Sequence, residues 1–424
     1  MRCLGKLCDV SPGKTPAKAS YTSAGDIKIV KFRDVLEDGT VDYANDEDGW
    51  FDSKYADSSD LVDLLPGTIL LTNAAHSVEH IGKKVAYVDS IPNMADRVCF
   101  VGELTGIRSK TDLSSTKWLF YWLQTDEAKR AIIRAVEGAH LIPREFKKIL
   151  IPDVLEREKV THLSLLSKID DAIAKAKAEL DAAWKSKKSF ANKTLEKGFC
   201  SDDSAVIVSK FWVYPKTWEL VCLKRLLKNM DSGSSPMCES EPAKPGRWGV
   251  LKVSAVSWDR FEELENKALP ETIDPDIKEE VLMGDIIASR ANTTELCGAV
   301  QRVKSLYARL LLCDKTWRLH PNDDVNPDWL VAILKHPQTR KQIEANATGT
   351  SDSMKNIAKR DFRNIVVPKP PRNVQDQIAD TLNAFDAYIE SSVSKIKALQ
   401  EVKKSLLQNL LTGKIRIPEG VLNV

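Results

Sequence analysis

The chain has 424 residues, 43% hydrophobic and 29% charged, with a net charge of +2. That balance suits a globular protein with two or three cores and excludes a disordered or collagen-like chain. No run of eighteen apolar residues occurs, Met1-Arg2-Cys3-Leu4-Gly5 opens no signal-type stretch, and eight scattered cysteines form no C-x-x-C pair. The expectation is a cytoplasmic protein with reduced thiols, no structural zinc and no membrane span.

In chain order, the first predicted feature is a tight turn, "SPGKTP" (11–16), then a β-type run, "IVKFRDV" (29–35). Between Glu37 and Asp63 lie ten acidic residues and one lysine, a charge of −9 that leaves +11 on the rest of the chain. "NDEDG" within it has a calcium-loop look, but Ala44 and Tyr55 fall where ligands are needed, so it reads as a solvated or partner-facing loop. A strand and loop, "LPGTILLTNAAH" (65–76), and an amphipathic helix carrying Trp118 follow. Short β runs bounded by glycines and then a buried helix indicate an α+β domain.

After Pro152 a long helix is predicted, with His162, Leu166, Ile169, Ile173, Ala176, Leu180, Ala183, Lys187 and Phe190 stepping by alternating four and three. The pattern then restarts. "DSGSSP" (231–236) stands for the first turn, "VLKVSAV" (250–256) for the first β run, "LMGDIIASRANT" (282–293) for the strand and loop. A helix carrying Trp329 matches the one carrying Trp118. A second long helix after the prolines 368–371 repeats the seam with Ile378, Leu382, Phe385, Ile389, Ser392, Ile396, Leu399 and Lys403. Phe146 and Phe362, Pro152 and Pro368, Asp170 and Asp386, and Lys187 and Lys403 are all 216 residues apart. A heptad seam of this length predicts helices that pair lengthwise, each about forty residues and roughly 60 Å long. Two copies related by a pseudo-twofold axis place them antiparallel, with globular halves at opposite ends. The expected segments are 1–151, helix 152–199, 200–367, and helix with tail 368–424.

These features resemble the specificity (S) subunit of type I restriction–modification systems, over the whole chain and in the family's order. The residues carrying the resemblance are Pro370-Pro371, Gln377, Asp386, Lys403-Lys404 and "LLTGK" (410–414), with "GKTP" and "GSSP" early in the halves and "GTSDSMKNI" (349–357) before the second helix. The first copy departs there, with "EGAHLIPREF" (137–146). The resemblance implies two target-recognition domains, each reading one half of a split site in double-stranded DNA. It also implies a non-catalytic role, two modification (methyltransferase) subunits bound along the helices, and restriction subunits joined through them. S-adenosylmethionine is expected on the modification subunit, with no cofactor in this chain. The residues agree: no methyltransferase motif, no G-x-G-x-x-G, no complete Walker A and no metal cluster occurs.

Readout in the major groove needs Arg for guanine and Asn or Gln for adenine, with Ser and Thr versatile. The loop after the "GDII" run (284–287) carries Ser289, Arg290, Asn292, Thr293 and Thr294; its counterpart carries Thr72, Asn73, His76 and Ser77. Lys14, Thr15, Ser234 and Ser235 sit in Gly/Pro turns whose N–H groups and hydroxyls suit phosphate. Lys31, Arg33 and Lys252 are expected on strands, facing out. Thr350, Ser351 and Lys355 complete the candidates. Leu166, Ile169, Ile173, Leu180, Leu382, Phe385, Ile389, Ile396 and Leu399 are expected in the helix seam. One heptad inserted in each helix adds roughly 10 Å, about three base pairs of spacer, if the helices act as a ruler. The competing reading is a coiled-coil scaffold whose end domains bind protein and not DNA.

Overall fold

The computed structural model describes residues 1–44, 49–54, 60–75, 77–199, 206–351 and 354–415. The chain forms two compact units: the first is Met1–Ala178 with Val393–Val424, the second Glu179–Ser392. Each unit takes half of each long helix.

In the first unit β1 (Arg2–Cys3) pairs with the strand that leads into the first long helix. Then follow β2 (Cys8–Pro12), β3 (Ile27–Val30), β4 (Ile69–Thr72), β5 (Val85–Tyr87), β6 (Arg97–Phe100), β7 (Leu104–Ser109), α1 (Leu113–Leu123), α2 (Asp126–Arg134), the hairpin β8 (Val136–Glu137) and β9 (His140–Leu141), β10 (Leu150–Ile151) and α3 (Glu156–Lys197). The central antiparallel sheet has the order β2-β7-β4-β5, and β3 runs parallel to β6 beside it. The second unit rebuilds this plan. Its elements are β11 (Glu219–Cys222), β12 (Leu227–Ser232), β13 (Trp248–Leu251), β14 (Ile286–Ser289), β15 (Ala291–Asn292), β16 (Val300–Arg302), β17 (Arg309–Leu311), β18 (Thr316–Pro321), α4 (Pro327–Lys335), α5 (Pro337–Asn346), β19 (Thr348–Ser351), β20 (Met354–Asn356), β21 (Val366–Lys369) and α6 (Arg372–Leu410). Here the sheet order is β12-β18-β14-β16, and β13 is parallel to β17. The β11–β21 pair spans four residues where β1–β10 spans two, so the first copy has the shorter opening strand.

Strand burial explains the chain's apolar runs. Ile69, Leu70 and Leu71 are wholly buried, as are Ile287 and Ala288, because both faces of β4 and β14 are covered. On one face lie α1, capped by the Asp112 carboxylate (2.7 Å to the Ser115 N–H), and α4, capped by Asn326. Trp118 and Trp329 fill equivalent places beneath them.

The long helices run antiparallel within each unit. In the first, Leu166 shares a core with Leu407 and Leu411, and Asp170 pairs with Lys403 at 2.6 Å. In the second, Leu195 shares a core with Ile378 and Leu382, and Lys187 pairs with Asp386. The two ion pairs are the same contact read through the 216-residue shift. Leu166, Ile173, Leu382, Ile389 and Ile396 are buried, and Ile169, Leu180, Phe385 and Leu399 half-buried. Gly198 and Gly413, both at positive φ, follow the helix ends, a conformation glycine adopts without Cβ strain. Among the described residues, no helix is long and apolar enough to cross a membrane.

Candidate nucleic-acid interface

At one end of the second unit's sheet, four stretches far apart in sequence meet. The residue after β14 is Arg290. Its backbone N–H donates to the Lys315 carbonyl (2.8 Å), and its guanidinium reaches the Asp314 carbonyl and the Asn356 side chain, both at 3.3 Å. β15, β20 and β19 form a three-stranded sheet in that order, with Asn292 opposite Lys355. The candidates of the 290–293 loop and of 350–355 therefore share one small sheet. Ser235 donates to the Asp314 carboxylate, tying the 233–236 turn to the same place. That bond, assisted by Lys315 and Arg290, holds the Asp314 carboxyl below the usual carboxylate range. The 3-10 turn Val253–Ala255, entered from Lys252, lies against β15.

The first unit assembles the same four stretches. Asn73 follows β4, and its N–H donates to the Glu103 carbonyl at 2.9 Å, as Arg290 does to Lys315. Its carboxamide donates to the Gly102 carbonyl and the Thr105 hydroxyl, both at 2.9 Å. Thr15 accepts from the Gly102 N–H and donates to Glu103. Ala74 bridges His140 on β9, so the hairpin 136–141 stands where β19–β20 stand in the second unit, several residues shorter. His76 lies outside the described residues. Thr350 and Ser351 lie on β19, and their side chains are outside the described ones.

Several expectations need correction. Lys31, Arg33 and Lys252 are not on strands: β3 ends at Val30 and β13 at Leu251, and the three residues start or occupy 3-10 turns. Lys31 Nζ sits 4.3 Å from the Tyr21 ring centre, Arg33 lies beside Asp34 at 3.8 Å, and Lys252 pairs with Glu265 at 3.7 Å. Several N–H groups of the Gly/Pro turns are already spent inside the units. Gly13 and Lys14 donate to the Leu104 and Phe100 carbonyls, and the Ser234 N–H and hydroxyl both donate to Glu279. The glycines allow this close seating: a Cβ on Gly13 would meet the Val101 carbonyl at 2.1 Å, and one on Gly233 the Leu312 carbonyl at 2.1 Å. Thr15, Ser234 and Ser235 thus anchor the turns, while Lys14 is exposed beside Asp60 at 3.6 Å.

Asn292 is only 8% exposed. Its carboxamide oxygen accepts from the Thr293 N–H (2.8 Å), and its nitrogen has no partner among the described residues. It shapes the loop from beneath. Arg290, Thr293 and Lys355 are half-exposed and stand nearer the surface, with Lys355 Nζ at 3.1 Å from the Gly349 carbonyl. Asp314, Lys315 and Asn356 belong to the constellation but carry no sequence signal, since only folding brings them beside Arg290. Among the described residues, no group of His, Cys, Asp and Glu side chains is arranged to hold a metal ion.

No protein-family model matches the chain. It is 30% identical over 198 residues to the type I restriction enzyme EcoEI specificity subunit of Escherichia coli, a match covering 46% of this chain and 33% of that protein. The chain thus matches about a third of that relative's length. Against the MjaVIII specificity subunit of Methanocaldococcus jannaschii it is 24% identical over 321 residues, 73% of each. Two solved structures share the fold at 14% identity. One is the S subunit from M. genitalium, with a TM-score of 0.53 over 98% of this chain and 96% of that one. The other is a chain from a type I R-M system described for its complex assembly and conformational transition, with a TM-score of 0.56 over 98% and 97%. In sequence the chain is similar to specificity subunits of type I restriction enzymes, and it shares its fold with two solved chains of type I restriction–modification systems.

Proposed function

We propose that the chain is the non-catalytic subunit that gives a type I restriction–modification complex its DNA sequence specificity. Each unit reads one half of a bipartite site in double-stranded DNA, and the helices set the spacer. One observation carries this reading: both units bring the same four stretches to one end of the same sheet, with different polar side chains at the tip. A shared frame with changeable loop residues is what two different half-sites require.

The chain's partners are two modification subunits held along the helices and, through them, restriction subunits. S-adenosylmethionine on the modification subunits supplies the methyl group for adenine, and the complex works in the cytoplasm. Methylome sequencing of the source cell with and without the gene tests the reading. Loss of adenine methylation at one split motif is expected. An unchanged methylome, together with purified complex that shows no salt-steep binding to duplex DNA, overturns it in favour of a protein scaffold.

A further inference from the structure

Beside the second unit's candidate interface stands an arginine that the sequence did not single out. Arg340, on α5, lays its guanidinium over the Trp258 ring, 4.6 Å from the ring centre. Trp258 is itself fixed: its indole N–H donates to the Glu295 carbonyl at 2.6 Å, and the neighbouring Ser257 carbonyl accepts from Gln301 at 2.8 Å. Glu295 lies in the 293–297 loop, where the Leu296 and Cys297 N–H groups fold back on the Thr293 carbonyl. The arginine is therefore docked on the segment that leaves β15, the strand bearing Asn292.

An arginine guanidinium has five N–H donors. Among the described residues, none of Arg340's makes a hydrogen bond, and its Nε is enclosed without a partner. The nearest carboxylate, Glu344, is 3.7 Å away, an ion pair beyond hydrogen-bond distance. The side chain is 35% exposed. Stacking on an indole fixes the guanidinium plane without using its edge, and a fixed edge with unspent donors fits the two oxygens of a phosphate. The equivalent residue of the first unit is Lys129, which is exposed.

We infer that Arg340, held by Trp258, is a DNA-backbone contact of the second unit and grips a phosphate flanking that unit's half-site. This rests on the reading of the chain as a DNA-specificity subunit. A phosphate contact adds affinity and salt dependence without sequence preference.

The test uses the complex assembled with its modification subunits. Binding to a duplex carrying the methylated motif, and to a scrambled duplex, is titrated over a range of salt. Arg340→Gln is expected to weaken binding to both duplexes by a similar factor and to make the slope of log K against log salt shallower by about 1. Arg340→Lys should restore most of the slope. Glu344→Gln, an exposed change that leaves the fold intact, should tighten binding by releasing the guanidinium. Unchanged affinity and slope in both Arg340→Gln and Glu344→Gln, with wild-type binding still steep in salt, overturns the inference and leaves the wider reading standing. A loss confined to the motif duplex also overturns it, because it marks base readout. Wild-type complex that binds neither duplex removes the wider reading and this inference together.

Discussion

Where the first unit places Asn73, the second places Arg290, and each backbone N–H donates to the turn that follows the parallel strand. The side chains then diverge. Asn73 spends both amide hydrogens inside the unit, on Gly102 and Thr105, while Arg290 holds Asp314 and Asn356 beside Lys315 and Lys355. The same frame thus ends in a mostly neutral tip in one unit and a basic tip in the other. On the proposed reading, the backbone sets where a contact is made, and a handful of side chains decide what it prefers.

The turn glycines break that comparison most sharply. Gly13→Ala or Gly233→Ala drives a methyl group into a backbone carbonyl that cannot give way, and each should cost about 3 kcal/mol. Urea unfolding and half-site binding check it; each variant should silence its own unit's half of the motif and spare the other.

A similar magnitude is expected from pH through His336 of the second unit. His336 is 3% exposed and caps α5, accepting from the Gln338 N–H, where the first unit caps α2 with Thr125. Burial pushes its imidazole down to about 4. As pH falls, the unfolded chain takes the proton first. The stability is therefore complete above pH 6.5 and lost between about 6.5 and 4, on the order of 3 kcal/mol. The loss should be smaller in His336→Thr; equal pH profiles for the two proteins would refute the assignment.

The indole pair gives a middle-sized effect. Trp118 donates to His162 Nδ1 at 3.3 Å, whereas Trp329 has no partner among the described residues, because Ile378 stands where the first copy has His162. His162→Ile should cost about 2 kcal/mol, the penalty of a buried donor left unmade. A melting temperature equal to wild type would show that the bond contributes nothing.

The smallest contrast lies in the ion pairs. Asp386 keeps Lys304 at 3.6 Å if Lys187 is removed, but among the described residues Asp170 keeps only the Tyr121 hydroxyl if Lys403 is removed. Lys403→Met should destabilise by about 1 kcal/mol more than Lys187→Met. The reverse order in parallel unfolding curves would contradict the geometry.

The long helices were legible because a four–three alternation sustained over about seven or eight turns has no strand reading, and they form over 42 and 39 residues. The pairing of Asn73 with Glu103, or of Asn292 with Lys355, was not. Strands of two and three residues carry no alternation from which a register can be read. Lys31 and Lys252 were misread because their apolar neighbours continue a strand-like pattern past the point where the backbone turns into a 3-10 coil. Asn292 looked like an exposed loop residue, yet it lies on a strand of the small sheet, opposite Lys355, and its side chain is covered. Trp258 and Arg340 meet across 82 positions, and no local pattern marks such a pair.

The division of each long helix between the units also orders events on the ribosome. The first unit needs Leu407 and Leu411 in its core and Lys403 beside Asp170, so it stays incomplete after residue 178 has been made. Synthesis must first pass the 214 residues of the second unit, roughly 10 to 40 s at ordinary elongation rates. The second unit is contiguous and can close earlier. A frameshift past residue 393 therefore injures the half of the molecule encoded first and leaves the half encoded nearest to it whole.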